Sequence, residues 1–306
     1  MSILYELSGI ADRAKAAAQA LPKGDTDLPV DSVVKCDNLS FLASCADSVT
    51  KADFIYIDPP FYSGANYKAR IVEDGEVKTP EAYSDKWDSF ADFLEALAVR
   101  IILMRRLLAP SGMIAVHLDT RAAHYVKILM DEIFGPDRLV NEIIWSYKSG
   151  GASTKSFSKK HDTILLYSRT SKYYFQPQKE RSYNRGGKPY RFKGVEEFVD
   201  EDGRWYTMVN RKDVLSVDMV GRTSSERTGY ATQKPEKLME ILINSCCPEG
   251  GLCADFYCGS GSFGAAAKKL GRHFLLCDSS ELAVKISAER LGKAIKDPAA
   301  LISAGS

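Results

Sequence analysis

The chain has few of the features that mark membrane, secreted or metal-binding proteins. Its 306 residues contain no apolar run long enough to cross a bilayer, and no internal repeat. Charged residues lie among the first twenty positions, where a secretory signal needs an apolar core. The seven cysteines form no C-x-x-C pair, and only four histidines are scattered along the chain. We therefore expect a cytoplasmic protein, in a reducing compartment and without a bound metal.

The chain has no large excess of either charge, with a formal net charge of +1. This balance hides a local excess, because 12 Lys and Arg and only two acids, Asp162 and Glu180, lie between Lys148 and Lys193. Aromatic residues are interleaved with these cations, and residues 73–137, rich in Asp and Glu, offset them. Such a stretch is typical of a phosphate-binding surface, with a solvated basic face as the alternative.

Apolar runs alternate with helical patterns, which predicts an α/β fold with a largely parallel sheet. Predicted strands cover 32–35, 54–57, 113–118, 140–145, 163–167, 252–256 and 273–277. Predicted helices cover 3–20, 89–108, 121–134, 265–270 and 281–293, and another opens at Thr232-Gln233-Lys234-Pro235 and runs through Asn244. Pro110-Ser111-Gly112 predicts a break before the third strand. Ligands of such sheets bind at the carboxyl ends of strands, and the residues at those ends include Asp37, Asp58, Asp255 and Asp278.

A glycine-rich loop follows the predicted strand at 252–256. Gly259, Gly261 and Gly264 give the spacing G-x-G-x-x-G, and Asp278 follows about twenty residues after the first glycine. Glycine lets the backbone approach a ligand closely, and the start of the next helix offers unpaired N–H groups. The loop predicts a nucleotide-type cofactor. A strand–turn–helix whose glycines only permit tight packing is the alternative.

The position of this loop disfavours a dinucleotide. A dinucleotide-binding fold needs several βα units after the loop, and only one helix and a short tail follow Asp278. The remaining strands must come from residues upstream of the loop. We therefore expect a sheet whose order is permuted relative to that of a dehydrogenase.

A second motif, Asp58-Pro59-Pro60-Phe61, follows the apolar run 54–57. Two consecutive prolines hold Asp58 nearly rigid, and Pro60 has no N–H with which to continue a strand ladder. The result is a stiff pair of acceptors, a carboxylate and a free carbonyl, beside the ring of Phe61. Such acceptors suit a planar base with an exocyclic amine, because they favour the lone pair as charge develops on it. A plain Asp-Pro turn after a strand is the alternative.

Together the two motifs resemble those of the amino-group DNA methyltransferases that use S-adenosylmethionine, in the permuted β class, over roughly residues 31–293. The resemblance implies a Rossmann-like methyltransferase fold with an inserted target-recognition lobe. It implies methylation of the exocyclic amine of a flipped adenine in duplex DNA. Adenine is favoured because Asp stands at position 58, where cytosine-amino enzymes more often carry Ser. A prokaryotic or phage-encoded enzyme that acts on nucleoid or phage DNA is expected.

The resemblance also implies site residues. The catalytic set is Asp58, Pro59, Pro60 and Phe61. The cofactor-binding set is Asp37, Asn38, Asp58, Thr232, Gln233, Lys234, Asp255, Phe256, Tyr257, Cys258, Gly259, Ser260, Gly261 and Asp278. Within it, Asp278 would bind the ribose, Asp37 would lie near the adenine ring, and the segment 232–235 would close over the cofactor carboxylate. The DNA-binding set, taken from the basic stretch, is Lys148, Lys155, Lys159, Lys160, Arg181, Arg185, Lys188 and Arg191.

Two residues depart from the usual family motifs. Tyr257 replaces Phe, which adds a hydroxyl, and Phe61 replaces the commoner Tyr, which loses one. Neither change removes a group on which the chemistry depends. Four alternatives stay open: a cytosine-N4 methyltransferase, an RNA or protein-glutamine methyltransferase, a non-catalytic DNA-binding protein on the same scaffold, and a nicotinamide dehydrogenase.

We expect four parts in the chain. These are an N-terminal helical extension (1–30), a catalytic half (31–171), a target-recognition region (172–230) and a cofactor-binding half (231–306), with 150–160 as a second DNA-facing loop. The expected partner is double-stranded DNA. A homodimer and a cognate restriction endonuclease are further expectations from the resemblance, and the sequence decides neither of them nor the recognition site.

Overall fold

The computed structural model describes residues 3–73, 76–148 and 153–297. Its helices are α1 (Ile3–Ala20), α2 (Asn38–Ser44), α3 (Phe90–Leu107), α4 (Ala123–Phe134), α5 (Glu236–Cys246), α6 (Ser262–Lys269) and α7 (Glu281–Leu291). Its strands are β1 (Ser32–Lys35), β2 (Ala52–Ile57), β3 (Asn66–Lys68), β4 (Ile71–Glu73), β5 (Glu76–Lys78), β6 (Glu81–Ser84), β7 (Leu108–Leu118), β8 (Leu139–Ser146), β9 (His161–Ser168), β10 (Lys179–Tyr183), β11 (Glu197–Val199), β12 (Trp205–Asn210), β13 (Val214–Ser216), β14 (Leu252–Asp255), β15 (His273–Asp278) and β16 (Ile295–Lys296).

The central sheet, as far as the chain is described, has nine strands in the order β13-β8-β9-β7-β2-β14-β15-β1-β16. Neighbours are parallel except where β9 pairs antiparallel with β7 and β8. The predicted α/β fold with a largely parallel sheet is confirmed. The permuted order is present as well, because β14, which precedes the glycine loop, lies between β15 and the much earlier β2.

Helices cover both faces of the sheet. One core contains buried residues of α1, α2, α3 and α4, and the other contains buried residues of α5, α6 and α7. In β2, Ile55 and Ile57 belong to the first core, while Phe54 and Tyr56 belong to the second. A strand buried on both faces has a continuous apolar sequence, which is why the run 54–57 predicts a central strand.

β7 begins earlier than predicted, at Leu108 instead of Met113. Ala52 of β2 pairs with Leu108, but the next pair in the register joins Phe54 to Met113. The intervening residues bulge out of the ladder, because Pro110 has no N–H to donate. The predicted break is therefore a bulge inside one strand.

Capping residues set several helix boundaries. The Ser89 hydroxyl accepts from the Asp92 N–H at 3.1 Å and starts α3, as predicted. Helix α6 begins at Ser262, three residues before the predicted start, and α5 begins at Glu236, directly after Pro235. The predicted N-terminal helix forms as α1. Its buried residues, including Leu7 and Ile10, belong to the first core, and α1 packs against α3 and α4.

Three small sheets lie outside the central sheet and escape prediction from the sequence. β3 pairs with β6, and β4 pairs with β5, between β2 and α3. The third, called the small sheet below, has the order β10-β12-β11 and spans Lys179–Asn210. It lies within the predicted region 172–230, but β13 from the same region joins the edge of the central sheet beside β8.

Candidate functional site

The four aspartates that follow or end predicted strands lie in one cavity. Asp37, Asp58, Asp255 and Asp278 all line a space of about 450 Å³ at the carboxyl ends of β1, β2, β14 and β15. These strands are neighbours in the sheet, and their paired members run parallel. The carboxyl ends of parallel strands share one edge, which is why the four aspartates come together in one cavity.

Asp58 uses its two carboxylate oxygens differently. Oδ2 is paired with the ammonium of Lys234, whose side chain is 10% exposed. Oδ1 is buried and has no hydrogen-bond partner among the described residues. A buried acceptor without a partner costs free energy, about 1–3 kcal/mol for an ordinary polar group. Oδ1 is therefore an acceptor available to a ligand that carries an N–H or O–H group.

The loop after Asp58 is held by Asp85, a residue that the sequence motifs do not reveal. The buried Asp85 carboxylate accepts from the backbone N–H groups of Phe61 (3.1 Å), Tyr62 (3.1 Å) and Ser63 (2.7 Å), and from the Trp87 indole (3.2 Å). Tyr62 adopts a left-handed backbone with φ of +60°. A non-glycine residue in that region is strained, and the three N–H contacts of Asp85 hold the strained turn in place.

A buried polar group lies behind Phe61. His117, which is fully buried, stacks on the Phe61 ring with centroids 6.1 Å apart. Its Nδ1 lies 2.7 Å from the Tyr56 hydroxyl, and its Nε2 lies 3.3 Å from Oδ2 of Asp162. Burial, followed by the nearby Lys234 charge, lowers the pKa of His117 below its ordinary value. The neutral ring that satisfies both neighbours accepts from Tyr56 and donates from Nε2 to Asp162.

Asp162 completes this group. Burial alone raises the pKa of Asp162, but the hydrogen bond from His117 and the charge of Lys234 bring it below the ordinary value. Asp162 also accepts from the Tyr147 hydroxyl at 3.3 Å, and burial raises the pKa of Tyr147 to about 12. The Phe61 ring therefore rests on a fixed, hydrogen-bonded support.

The glycine loop needs glycine at two positions. Gly259 and Gly261 have φ of +48° and +72°, in the left-handed region that side chains disfavour. A Cβ at Gly259 would lie 3.2 Å from the Tyr230 ring, and one at Gly261 would lie 2.7 Å from the Ser287 hydroxyl. The loop is therefore packed closely between these neighbours, and α6 begins immediately after it.

Asp255 and Asp278 hold the glycine loop in place by accepting hydrogen bonds from its backbone N–H groups. Asp255 accepts from the Tyr257 N–H at 2.9 Å, and Asp278 accepts from the N–H groups of Gly259 (3.0 Å) and Ser280 (2.9 Å). Burial raises the pKa of both carboxyls, for Asp255 well above its ordinary value. Asp278 thus joins the loop to the start of α7 in addition to facing the cavity.

A second corner of the cavity is built around Asn38. Its side chain donates to the Phe256 carbonyl at 2.9 Å and accepts from the Arg100 Nε at 2.5 Å. Asp37 caps α2 by accepting from the Ser40 N–H at 3.0 Å, and Arg100 lies 3.6 Å from its other oxygen. Burial raises the pKa of the Tyr257 hydroxyl, and the Arg100 charge and the Asn38 side chain act against that rise, so the hydroxyl that Phe would lack belongs to this corner of the cavity.

The segment before α5 forms part of the cavity wall through Thr232, Gln233 and Lys234. Thr232 is exposed and has a left-handed backbone with φ of +58°. Gln233 is buried, and both ends of its side-chain amide are hydrogen-bonded. Its Oε1 accepts from the Thr228 backbone N–H at 2.8 Å, and its Nε2 donates to the Glu226 backbone carbonyl at 2.6 Å. The Gln233 amide therefore holds its own segment together, and Lys234 is the member that reaches Asp58.

The cavity brings most of the predicted site residues together. The predicted residues in its lining are Asp37, Asn38, Asp58, Pro60, Thr232, Gln233, Lys234, Asp255, Phe256, Tyr257, Cys258, Gly259, Ser260 and Asp278. Pro59, Phe61 and Gly261 lie beside the lining instead of in it. The part of the wall that the sequence did not predict includes β6, Trp87 and Tyr230. The alternation in Glu81-Ala82-Tyr83-Ser84, with only Ala82 buried, is the one signal that could have indicated this strand.

The predicted basic residues lie on two surfaces. Lys148, Lys155, Lys159 and Lys160 lie between β8 and β9, and all but the half-buried Lys160 are exposed. The backbone N–H of Tyr147 donates to the Lys160 carbonyl at 3.0 Å and closes the root of this loop. Residues 150–152 of the predicted loop 150–160 fall outside the described residues. The loop leaves the same sheet edge as Asp58, because β8 runs parallel to β2.

The other basic residues are on or beside the small sheet. Arg181, Arg185, Lys188 and Arg191 are all exposed. The Arg181 guanidinium lies 4.8 Å from the centroid of the Tyr206 ring. The Glu197 carboxylate fixes the neighbouring loop by accepting from the Asn184 amide at 2.7 Å and from the N–H groups of Tyr190 and Arg191 at 2.8 Å. The sites of the basic residues are therefore not part of the cavity.

The described part of the chain has neither a metal-binding cluster nor a membrane-spanning helix. It contains no group of three or more His, Cys, Asp or Glu side chains placed to hold a metal ion. Within the same residues, no helix combines the length and apolar character needed to cross a bilayer. All seven cysteines are free thiols.

The chain matches one protein family and several curated relatives. The family described as DNA methylase matches residues 52–289. The chain is 29% identical to the type II methyltransferase M.EcaI of Enterobacter cloacae, over 92% of this chain and 72% of that protein. It is 27% identical to the type II methyltransferase M2.LlaDCHI of Lactococcus lactis subsp. cremoris, over 79% of this chain and 82% of that protein.

Solved structures share the fold. The M1.HpyAVI–SAM complex is similar with a TM-score of 0.56 at 18% identity, over 85% of this chain and 98% of that chain. The PvuII DNA methyltransferase, which is cytosine-N4-specific, is similar with a TM-score of 0.58 at 13% identity, over 88% of this chain and 89% of that chain. At these identities the likeness concerns the fold alone.

Proposed function

Because the chain belongs to the DNA methylase family, we propose that it transfers a methyl group from S-adenosylmethionine to the exocyclic amine of a flipped adenine in duplex DNA. The observation that carries the proposal is the unpartnered, buried Oδ1 of Asp58, at the edge of a cavity that also contains the glycine loop. An N–H of the amine is the partner that this oxygen lacks.

Family membership confirms the reaction class expected from the two sequence motifs, which is methylation of an exocyclic amino group in DNA. The family includes enzymes that act on N6 of adenine and on N4 of cytosine. The choice of adenine is supported by Asp58, since cytosine-amino enzymes of this kind more often carry Ser at the corresponding position.

The residues of the cavity fit S-adenosylmethionine. A volume of about 450 Å³ lies within the range of small-molecule sites. Gly259 lines the space with backbone, and the carboxylates of the lining would supply acceptors for ribose hydroxyls and negative charge for a sulfonium. Asp278, Asp37 and the segment 232–234 would hold the cofactor, and its sulfonium supplies an already activated methyl group, so the reaction needs no metal.

Asp58 and Phe61 would orient the amine. Asp58 Oδ1 accepts one N–H of the amine, and the Pro59 carbonyl takes the other, which favours the lone pair as it becomes a nucleophile. Phe61 stacks on the base, and its ring is held from behind by His117. The chain forms no covalent bond to the substrate, so most of the acceleration comes from positioning. The proton leaves through Asp58 or directly to solvent after transfer.

The basic surfaces would bind the duplex. The exposed cations between β8 and β9 and those on the small sheet would contact the phosphates of the duplex. Extruding a base costs a few kcal/mol of lost stacking and pairing, and contacts with the phosphates offset that cost. Residues 172–230 as the target-recognition region, a homodimer and a restriction partner stay predictions.

A transfer assay tests the proposal. The protein is incubated with unmethylated bacterial DNA and S-adenosylmethionine, and the DNA is digested to nucleosides for mass spectrometry. We expect N6-methyladenine from the wild type. In Asp58→Ala, the rate should fall by about 10³-fold, because the acceptor that holds the amine is lost. Binding of S-adenosylhomocysteine, followed by calorimetry, should be retained.

The control is Asp137→Ala, which removes an exposed carboxylate far from the cavity lining. Its rate should equal that of the wild type. N4-methylcytosine as the product would keep the mechanism but change the substrate. Absence of any methylated base, although the cofactor binds, would contradict the proposed function.

A further inference from the structure

Lys234 occupies the groups that are proposed to hold the substrate. Its ammonium is paired with Oδ2 of Asp58 and lies 5.5 Å from the centroid of the Phe61 ring. Lys234 as a whole is 9% exposed. A cation held between a carboxylate and an aromatic face is a favourable arrangement, and more so where water is scarce.

The same arrangement is required by an amino-bearing base. Its amine needs the carboxylate of Asp58, and its ring needs a face of Phe61. Phe61 already stacks on the buried His117, and the Lys234 ammonium lies over the same ring, so a base that stacks on Phe61 needs the space that Lys234 occupies. The lysine ammonium therefore takes the place of the substrate, and it must move before the base can stack.

The backbone of Lys234 is fixed while its side chain is free to change direction. The Lys234 carbonyl accepts from the Ser262 hydroxyl at the start of α6, at 2.7 Å. Lysine carries its charge on a flexible four-carbon stem, so the ammonium can swing without a change in the backbone. Lys234 lines the same cavity as the glycine loop and Ser262 of α6, so its ammonium can change direction and still lie within the cofactor site.

The charges of the cavity indicate what draws the ammonium away. Two cations line the cavity, Arg100 and Lys234, and the remaining charged residues of the lining are carboxylates. Arg100 is already bound to Asn38 and lies close to Asp37. A ligand that brings a carboxylate into the cavity will therefore find its cation in Lys234.

We propose that Lys234 couples the two ligands of this site: its ammonium blocks the base pocket until the carboxylate of the bound cofactor draws it off Asp58. The inference rests on the proposed function and concerns the order of events within the same site. The cofactor must bind before the flipped base can enter. Asp58 and the cofactor carboxylate compete for one ammonium.

Calorimetry with two probes tests this competition without DNA. S-adenosylhomocysteine carries the carboxylate, and 5′-methylthioadenosine lacks the amino-acid part. In Asp58→Asn the ammonium is no longer held, so S-adenosylhomocysteine should bind several-fold more tightly, while methylthioadenosine should bind as to the wild type. In Lys234→Met, which keeps the length of the stem, S-adenosylhomocysteine should bind about tenfold more weakly, again without change for methylthioadenosine.

Lys237→Met is the matched control, because Lys237 is an exposed lysine of α5 that pairs with Glu240 outside the cavity. Thermal unfolding without ligand checks that each variant is folded. Equal affinity of S-adenosylhomocysteine for Asp58→Asn and the wild type would overturn the inference, since it would mean that Lys234 does not leave Asp58. Failure of both probes to bind the wild type would instead overturn the proposed function.

Base entry provides a second measurement, with 2-aminopurine at the target position of the site mapped by the transfer assay. In the wild type, the fluorescence increase should require S-adenosylhomocysteine, and methylthioadenosine should not replace it. In Lys234→Met the increase should occur without any cofactor. An increase in the cofactor-free wild type, or one that methylthioadenosine supports equally well, would contradict the proposed block.

Discussion

The cavity and the small sheet are stabilised by different kinds of contact. Around the cavity, buried carboxylates accept from backbone N–H groups, as Asp85 does for the loop after Phe61. On the small sheet, exposed arginines lie over aromatic rings, as Arg204 does over Tyr183 at 4.8 Å. Between Tyr167 and Leu215, a stretch that is described throughout, no hydrophobic side chain is buried.

The difference indicates how each region works. Buried hydrogen bonds in a low-dielectric interior fix the positions of the groups around the cavity before a ligand arrives. A sheet without a buried core is free to adapt to the surface that it meets. We therefore expect small-molecule chemistry in the fixed region. We expect contact with a long, charged partner in the adaptable region. The following experiments test that division, beginning with the largest expected effect.

Replacing Asp85 should damage the fixed region most. In Asp85→Ala, three backbone N–H groups lose their acceptor, and the strained turn at Tyr62 loses its support. Since a shift of about 1 Å in a reacting group costs about 10²-fold, we expect methyl transfer to fall by about that factor. The salt dependence of DNA binding should not change. Asp88→Ala, an exposed carboxylate three residues away, is the control, and a folded Asp85→Ala with the wild-type rate would refute the role of Asp85.

Replacing cations of the adaptable region should change the salt dependence of DNA binding and leave cofactor binding unchanged. In the double variant Lys188→Gln/Arg191→Gln, the slope of log K against log salt should become shallower by about 2, because each phosphate contact contributes about 0.9. Affinity for S-adenosylhomocysteine should not change. Lys15→Gln/Lys23→Gln, in and just after α1, is the matched control. Fluorescence anisotropy with duplex DNA at several salt concentrations provides the slopes. Equal slopes for the two double variants would mean that Lys188 and Arg191 do not contact the DNA.

The buried histidine behind Phe61 makes stability depend on pH. Burial lowers the folded-state pKa of His117 below its ordinary value of 6.5, so below pH 6.5 the unfolded chain binds a proton that the folded chain does not. Stability should therefore fall as pH decreases through that region, by up to about 1.4 kcal/mol per pH unit, and His117→Gln should lack this part of the dependence.

Urea unfolding at pH 7.5, 6.5 and 5.5 measures the effect. Asp162 stays ionised throughout this range, because its pKa lies below the ordinary 3.8. The exposed His124 serves as the control through His124→Gln. Identical pH slopes for the wild type and His117→Gln would mean that folding does not lower the pKa of His117.

The smallest expected effect concerns the hydroxyl that distinguishes this glycine loop. Tyr257→Phe removes a hydroxyl whose pKa the Asn38 side chain affects, and the loss of such an interaction costs at most about 1.5 kcal/mol. We expect S-adenosylhomocysteine to bind a few-fold more weakly, with the rate at saturating cofactor unchanged. Calorimetry measures the affinity, and Tyr173→Phe on the surface is the control. A lower rate at saturating cofactor would contradict this prediction, because it would mean that the Tyr257 hydroxyl takes part in methyl transfer and not only in cofactor binding.

The features that sequence predicted well are those with local patterns. Strands buried on both faces have continuous apolar sequences, so β2, β14 and β15 were predicted, and the motifs at their ends followed. The bulge in β7 was misread as a break, because proline and glycine give the same signal in both cases. The short strands β3, β5 and β6 carry largely exposed residues, which leave little periodicity to read.

The contacts that complete the site could not be predicted, because they join distant parts of the chain. Asp85 is 24 residues from Phe61, and nothing in the sequence around it indicates that it accepts from that loop. Lys234 is 176 residues from Asp58, and its motif suggested a cofactor contact. The structure adds the ion pair with Asp58, and it is this pair that links the two halves of the site.

The permuted order of the sheet also has a consequence during synthesis. β2 leaves the ribosome early, yet its neighbour β14, which pairs Cys253 with Phe54, is made about two hundred residues later. Until then, one edge of an apolar strand in the middle of the future sheet has no partner. Pairings between such distant residues form slowly, and an open strand edge invites association with other chains. The nascent protein should therefore depend on chaperones until the strand after Gly251 emerges, and the base pocket and cofactor loop become one site only in that last step.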